Sequence, residues 1–172
     1  MRTEKNQKLT MIGSTEYVEI AGIANVPAKI DTGADTSSVW ASNIDMREDG
    51  VLVFSLFDKK SPFYTGEKIE TRDYIAKSVR SSHGDTQIRY RVKLPIQIKD
   101  LKMNSTFTLA DRTRNSFPIL IGRKTLKGKF IIDVTKSEVL REKPRKSHSL
   151  NEELKQNPYE FHQKYIEKGD KS

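Results

Sequence analysis

Residues 9–134 break into short apolar or alternating runs separated by polar and glycine-bearing stretches, and this punctuation confines the body of the chain to β-structure. Tyr17-Val18-Glu19-Ile20 is one such run. Val26, Ala28 and Ile30 alternate with Pro27 and Lys29, a period of two that ends at Asp31-Thr32-Gly33. Residues 51–57 are apolar enough to be buried on both faces. Residues 69–79 and 88–98 flank Ser81-Ser82-His83-Gly84-Asp85-Thr86, the pattern of a long hairpin with a polar tip. Residues 106–109, 118–121 and 130–134 complete the series, and Arg123 to Leu126 is the one helical turn expected in this body. The expected class is all-β, a small barrel or folded sheet.

From Lys136 onward the character changes. Sixteen of the last 37 residues are charged, and Lys143-Pro144-Arg145-Lys146-Ser147-His148-Ser149 reads as a linker. Ser149 with Glu152, and Asn157 with Glu160 behind Pro158, have the spacing of helix caps, so short helices are expected near 150–156 and 158–168. Phe161 and Tyr165, four apart, give the second an aromatic face. The chain is thus divided into a β domain, 1–135, and a charged linker with a short helical tail, 136–172.

Composition sets limits on function. No apolar run approaches the length of a membrane span, and the first eight residues lack the apolar stretch of a secretory leader. With no cysteine there is no disulfide framework, no thiol nucleophile and no cysteine-bound zinc, so a reducing, cytoplasmic setting is expected. The formal net charge of +8 suits an acidic partner, but the basic residues are spread along the chain and no nucleic-acid-reading motif accompanies them. Nucleic acid is therefore not the expected partner.

Chemistry concentrates in two places. In Ala28-Lys29-Ile30-Asp31-Thr32-Gly33-Ala34-Asp35-Thr36-Ser37-Ser38 an alternating strand runs straight into a carboxylate. The strand presents Asp31 at its end, Thr32 offers a hydroxyl to hold the loop, and Gly33 permits a tight turn that a Cβ would block. In Pro118-Ile119-Leu120-Ile121-Gly122-Arg123 a buried strand ends at a glycine, where another backbone must come close, and an always-charged arginine follows. Gly122 and Arg123 are the expected structural supports, with Asp35 the natural partner of Arg123, partly buried against it.

A strand, Asp-Thr-Gly-Ala-Asp, a long hairpin and then Ile-Leu-Ile-Gly-Arg, in that order and at that spacing, resemble the retropepsin-like aspartic peptidases over about residues 15–134. More narrowly, residues 28–37, Thr108-Leu109-Ala110-Asp111-Arg112 and Phe117 to Phe130 resemble a bacterial and archaeal family usually labelled an ATP-dependent zinc protease. Some of its members are encoded beside the RimK glutamate ligase. The family often has histidine where this chain has Trp40. The resemblance implies a retropepsin-like acid-protease barrel, one lobe per chain, with the C-terminal helices as an extension. It implies catalytic roles for Asp31, Thr32 and Gly33, and substrate contacts from Asp35 and from Ser82, His83 and Gly84 at the tip of a closing hairpin. Neither zinc nor ATP finds a site in the residues themselves. There is no His-Glu-x-x-His, the three histidines stand far apart in sequence, and no phosphate-binding glycine loop occurs. No cofactor and no metal site are expected.

Aspartic chemistry needs two carboxyls sharing a proton, one acid and one base. The chain carries one Asp-Thr-Gly; Asp85-Thr86-Gln87 and Asp133-Val134-Thr135 do not repeat it. The second carboxylate must come from a second copy, so the active form is expected to be a homodimer acting on peptide or protein substrates. Lys77, Arg80, Arg89, Arg91 and Lys93 against Asp85 alone favour acidic, glutamate-rich segments, if their face points into the cleft. The competing readings are a catalytically silent dimer that binds acidic peptides, a basic nucleic-acid-binding domain and, last, a metallopeptidase.

Overall fold

In the computed structural model the described residues are 9–80, 86–139 and 146–166. In chain order the strands are β1 (Thr10–Ile12), β2 (Thr15–Ile20), β3 (Ile23–Ile30), β4 (Ser37–Met46), β5 (Leu52–Leu56) and β6 (Ile69–Thr71). They continue as β7 (Tyr74–Arg80), β8 (Thr86–Ile98), β9 (Leu101–Ala110), β10 (Ile119–Ile121) and β11 (Phe130–Ile132). The helices are α1 (Arg123–Leu126), α2 (Lys146–Gln156) and α3 (Pro158–Tyr165).

The two-residue reversal from β2 to β3 uses Ala21 and Gly22, with φ of 47° and 82°. That sign at both positions matches a tight hairpin to the twist of its strands. It sets Ile20 opposite Ile23, and a register shift beside Asn25, at φ 56°, then puts Val18 opposite Val26 and Tyr17 opposite Pro27. Pro27 has no N–H to donate, and β3 meets its other neighbour only from Ala28 onward. β10, β3, β2, β8, β9 and β4 pair in that order, and β4 returns to β10, so six strands close a barrel. Closure removes the open edges that a sheet would otherwise expose. β5 and β6 extend from β4, and β7 from β8.

Alternation fills the interior. Val92, Leu94, Ile96 and Ile98 of β8 are buried with Val18, Ile20, Val26, Ile30, Phe107, Leu109, Ile119 and Ile121 in one cluster. All five residues of β5 are buried, as its continuous apolar run implies. The all-β expectation therefore holds, with one barrel and short C-terminal helices.

Three strand boundaries differ from the sequence pattern for local reasons. The run 69–79 is not one strand: it divides at Arg72-Asp73, where the Asp73 N–H donates to Thr71 Oγ1 at 3.0 Å and turns the chain. β6 then joins β5 while β7 joins β8. β9 begins five residues earlier than the apolar residues suggest, because Lys99, at φ 52°, reverses the chain and sets Ile98 against Leu101. β4 is hidden in the sequence by its serines and by Asn43, whose φ of 51° accompanies a shift in the β4–β5 register.

The chain divides into two units, the first ending at Val139. Residues 136–139 are held to the first unit by the start of β2. Ser14 N–H donates to the Lys136 carbonyl at 2.8 Å, Glu138 N–H to the Thr15 carbonyl at 3.2 Å, and Val139 N–H to Thr15 Oγ1 at 3.0 Å. The β domain therefore runs four residues past the boundary expected at 135. In the second unit α2 starts at Lys146, ahead of the expected Ser149, while Asn157 Oδ1 caps α3 by accepting the Glu160 N–H at 3.1 Å. The α3 helix ends at Tyr165 rather than 168. Phe161 and Tyr165 stack 4.7 Å apart, and Glu153 of α2 accepts bonds from both Lys164 and Tyr165.

Candidate active site

The β3 strand delivers Asp31 to the end of the barrel. Its N–H donates to the Ile121 carbonyl at 2.9 Å, so the β3–β10 ladder continues into the loop. Asp31 Oδ1 accepts the N–H groups of Gly33 at 3.0 Å and Ala34 at 3.2 Å. Oδ2 makes no hydrogen bond among the described residues. The chain must fold tightly here, because a Cβ on Gly33 would stand 3.2 Å from Asp31 Oδ1. Thr32 acts through its backbone. Its hydroxyl makes no hydrogen bond among the described residues, and its carbonyl accepts the Arg123 Nη1 donor at 3.5 Å.

Behind this loop Gly122 is buried and pressed against backbone. A Cβ there would lie 2.6 Å from the Thr36 carbonyl carbon and 2.9 Å from the Ala34 oxygen. The Gly122 N–H donates to Ser37 Oγ at 3.0 Å, and Ser37, Thr125 and Ser105 form a buried hydroxyl cluster with contacts of 2.7 and 3.1 Å. The first turn of α1 closes the same joint: Arg123 N–H donates to Ala34 O at 2.8 Å and Lys124 N–H to Asp35 O at 3.0 Å.

Arg123 bonds Asp35 as expected, but the pair stands in solvent rather than partly buried, with side chains 56% and 67% exposed. The hydrogen bond from Arg123, and then its charge, hold the Asp35 carboxyl below its ordinary value. The structural support of the loop thus rests on Gly122 more than on this ion pair. A cavity of about 570 Å³, lined among others by Thr32, Asp35, Arg123, Leu126 and Phe130, opens beside them.

The hairpin of β7 and β8 pairs from Tyr74 opposite Val92 to Arg80 opposite Thr86. Its proposed substrate-contacting residues Ser82, His83 and Gly84 lie outside the described residues. Of its basic residues, Lys93 meets Asp73 at 3.3 Å in solvent. Arg91 is half-buried, donates to Thr108 Oγ1 at 3.2 Å and contributes to lowering the Asp35 carboxyl. Arg89 is half-buried too, and bonds Gln87. Arg91 thus acts on Asp35, while Arg89, two residues away and in phase with it on β8, acts on Arg112. Half-buried Trp40 packs on the core, its backbone bonded to Pro118 and Phe57. Among the described residues no three His, Asp or Glu side chains converge to hold a metal ion.

Two further residues escape the motif reading, one near the site and one buried in the body. Arg112 lies within electrostatic reach of Asp31 from the loop after β9; its only signal was a place in the Thr108–Arg112 resemblance. Glu16, 2% exposed, accepts the Gly13 N–H at 2.7 Å and meets Lys99 at 3.0 Å. Its position in phase with Val18 and Ile20 was the available signal.

A closed barrel with one Asp-Thr-Gly loop clamped by an Ile-Gly-Arg turn defines a retropepsin-like lobe. The chain belongs to the RimB-like family, described as retropepsin-like aspartic endopeptidase RimB, which matches residues 11–143. Among curated relatives it is 29% identical over 140 residues to a "Probable alpha-L-glutamate ligase" of Shewanella pealeana, covering 77% of this chain and 30% of that protein. A protein of the same name from Desulfotalea psychrophila is 27% identical over 128 residues, 72% of this chain and 28% of the relative. The chain spans less than a third of the length of these relatives. A crystal structure from Legionella pneumophila, titled as a protein of unknown function, shares the fold with a TM-score of 0.59 at 24% identity, covering 76% of this chain and 97% of its own.

Proposed function

We propose that the chain is an aspartic endopeptidase of retropepsin type that works as a homodimer, with one Asp31 from each copy forming the catalytic pair. The observation that carries this reading is the Asp31 carboxylate itself. It is fixed through Oδ1 by two backbone N–H groups and unbonded at Oδ2, at the end of a strand beside an open cavity. Like charges a few ångströms apart cannot both ionise, so the pair holds one proton. The ionised member takes a proton from water as its oxygen attacks the scissile carbonyl carbon. The protonated member gives its proton to the carbonyl oxygen, and collapse of the tetrahedral adduct passes a proton to the departing amine. Thr32 and Gly33 fix the loop that carries the carboxylate, and Asp35 binds the substrate backbone. The β7–β8 hairpin, with Ser82, His83 and Gly84 at its tip, closes over the peptide and excludes water.

The face we assign to a second copy lies beside the 570 Å³ cavity, where Ile131 and Met11 are half exposed and Val134 is 78% exposed. The substrate class we favour is an acidic, glutamate-rich segment. Arg89 and Arg91 support it, being half-buried without a carboxylate partner among the described residues. So do the relatives, whose longer chains join a region like this one to proteins named for glutamate ligation. A chain without cysteine suits a cytoplasmic setting; among the described residues no helix is long and apolar enough to cross a membrane.

The test is cleavage of glutamate-rich and lysine-rich peptide libraries by wild type and Asp31→Asn, from acid to neutral pH and at low and high salt. Expected are Asp31-dependent cleavage and an acidic preference that weakens with salt. Undiminished cleavage by Asp31→Asn would end the aspartic reading. Binding of acidic peptides with no cleavage would make the protein a catalytically silent dimer instead.

A further inference from the structure

Arg112 lies within electrostatic reach of Asp31 and makes no ion pair among the described residues. It stands two residues past β9, in a loop that closes on itself: Asp111 Oδ1 accepts the Thr113 N–H at 2.9 Å, Asn115 N–H donates to the Arg112 carbonyl at 2.9 Å, and Arg112 Nε donates to the carbonyl of buried Phe117 at 3.0 Å. Those contacts orient the guanidinium and use one of its five donors. Its two Nη groups make no hydrogen bond among the described residues, and no described carboxylate lies within ion-pair distance. The neighbouring Asp111 is taken up by Thr113, with Arg114 and Lys60 as its nearby cations. Arg112 is half-buried, so burial first and the like charge of Arg89 second disfavour its charged form, while Asp31 favours it. A guanidinium so placed is relieved by an arriving anion, and its terminal fork matches a carboxylate bidentately.

Asp31 must touch the water that attacks the scissile carbonyl. An extended peptide advances only about 3.4 Å per residue, so a group within electrostatic reach of Asp31 meets side chains next to the scissile bond. We infer that Arg112 is a specificity-determining residue that receives the carboxylate side chain of a substrate residue flanking the cleaved bond, with Arg89 as a second cation on the same anion. This rests on the peptidase reading above.

The test takes an acidic peptide that the full chain cleaves and changes Glu to Gln at each position flanking the cleaved bond, comparing kcat/KM. Wild type is expected to discriminate by about 10- to 100-fold at one position, the range of a charge-assisted hydrogen bond. In Arg112→Gln the Glu-to-Gln ratio at that position falls to within about twofold, while the ratios at other positions stay as in wild type. Arg112→Glu turns the preference toward lysine there, which loss of a merely structural contact would not do. Arg112→Lys keeps the charge and loses the fork, and covers a Gln variant that does not fold; it is expected to cleave with a reduced ratio. An unchanged ratio in either Arg112→Gln or Arg112→Lys overturns the inference while leaving the peptidase intact. Failure of wild type to cleave any peptide overturns the peptidase reading and this one with it.

Discussion

Gly122→Ala separates packing from conformation at the joint behind the Asp31 loop. The φ of Gly122 is −89°, open to any residue, so the added methyl is opposed by contact alone. Its carbon would sit 2.6 Å from the Thr36 carbonyl carbon, 2.8 Å from the Thr36 oxygen and 2.9 Å from the Ala34 oxygen. Carbon atoms rest at about 3.5 Å, so the backbones must part by roughly 1 Å, and neither side can rotate away. Overpacking of this kind costs about 1–3 kcal/mol. Stretching the 3.0 Å bond from Gly122 N–H to Ser37 Oγ adds about 1 kcal/mol. The expected loss is about 3 kcal/mol, measured by urea denaturation with Trp40, the one tryptophan, as reporter. Because Ala34 and Thr36 share a loop with Asp31, a displacement near 1 Å is also expected to cut peptidase activity about 100-fold. Gly128→Ala is the control. At φ +73° with nothing within 4 Å, it carries backbone strain of about 1 kcal/mol and no effect on cleavage. A Gly122→Ala protein less than about 1 kcal/mol destabilised and fully active would refute the reasoning.

Glu16→Gln is expected to cost about 2–3 kcal/mol by the same titration. That is below the ~3–5 kcal/mol of a fully buried pair, since Lys99 stays a third exposed and keeps Glu138 at 3.2 Å; a change under about 0.5 kcal/mol would show that the Glu16–Lys99 contact does not stabilise the fold. Arg123→Ala is expected to leave the denaturation midpoint at neutral pH close to wild type, because its pair with Asp35 is exposed, yet to lower activity by freeing the Thr32 carbonyl and Asp35. The Asp35 carboxyl is depressed in the folded chain, so any contribution it makes is present above its ordinary value near 3.8 and disappears as pH falls through the lower folded value. A wild-type advantage over Arg123→Ala that grows on acidification would contradict this sign.

The barrel was legible because most of its strands alternate: Val26, Ala28 and Ile30 run inward to Asp31, and Val92, Leu94, Ile96 and Ile98 do the same on β8. β4 was not, because Ser37, Ser38, Ser42 and Asn43 break its apolar alternation: Ser37 bonds Thr125, Ser42 bonds the Phe57 carbonyl, and Asn43 accompanies a register shift. The joint of Gly122 with the Asp31 loop could be read as a close approach, and the partner of Arg123 could be named, but not its exposure, which depends on how far α1 stands from the barrel surface. Arg112 was hidden for a different reason. Its inferred role depends on a loop that folds back onto Phe117, and no local pattern encodes that fold. Lys99 likewise reaches Glu16 from a hairpin 83 residues away in sequence.

Whether two Asp31 side chains share one site is tested most directly by subunit mixing. Wild type and Asp31→Asn are combined in increasing proportion at constant total protein, allowed to exchange, and assayed for peptide cleavage. If each site needs an Asp31 from both copies, mixed dimers are dead and activity follows the square of the wild-type fraction, about a quarter at equal mixing. A linear decline, with about half the activity left at equal mixing after exchange is verified, would mean that one chain suffices and would contradict the shared carboxylate pair.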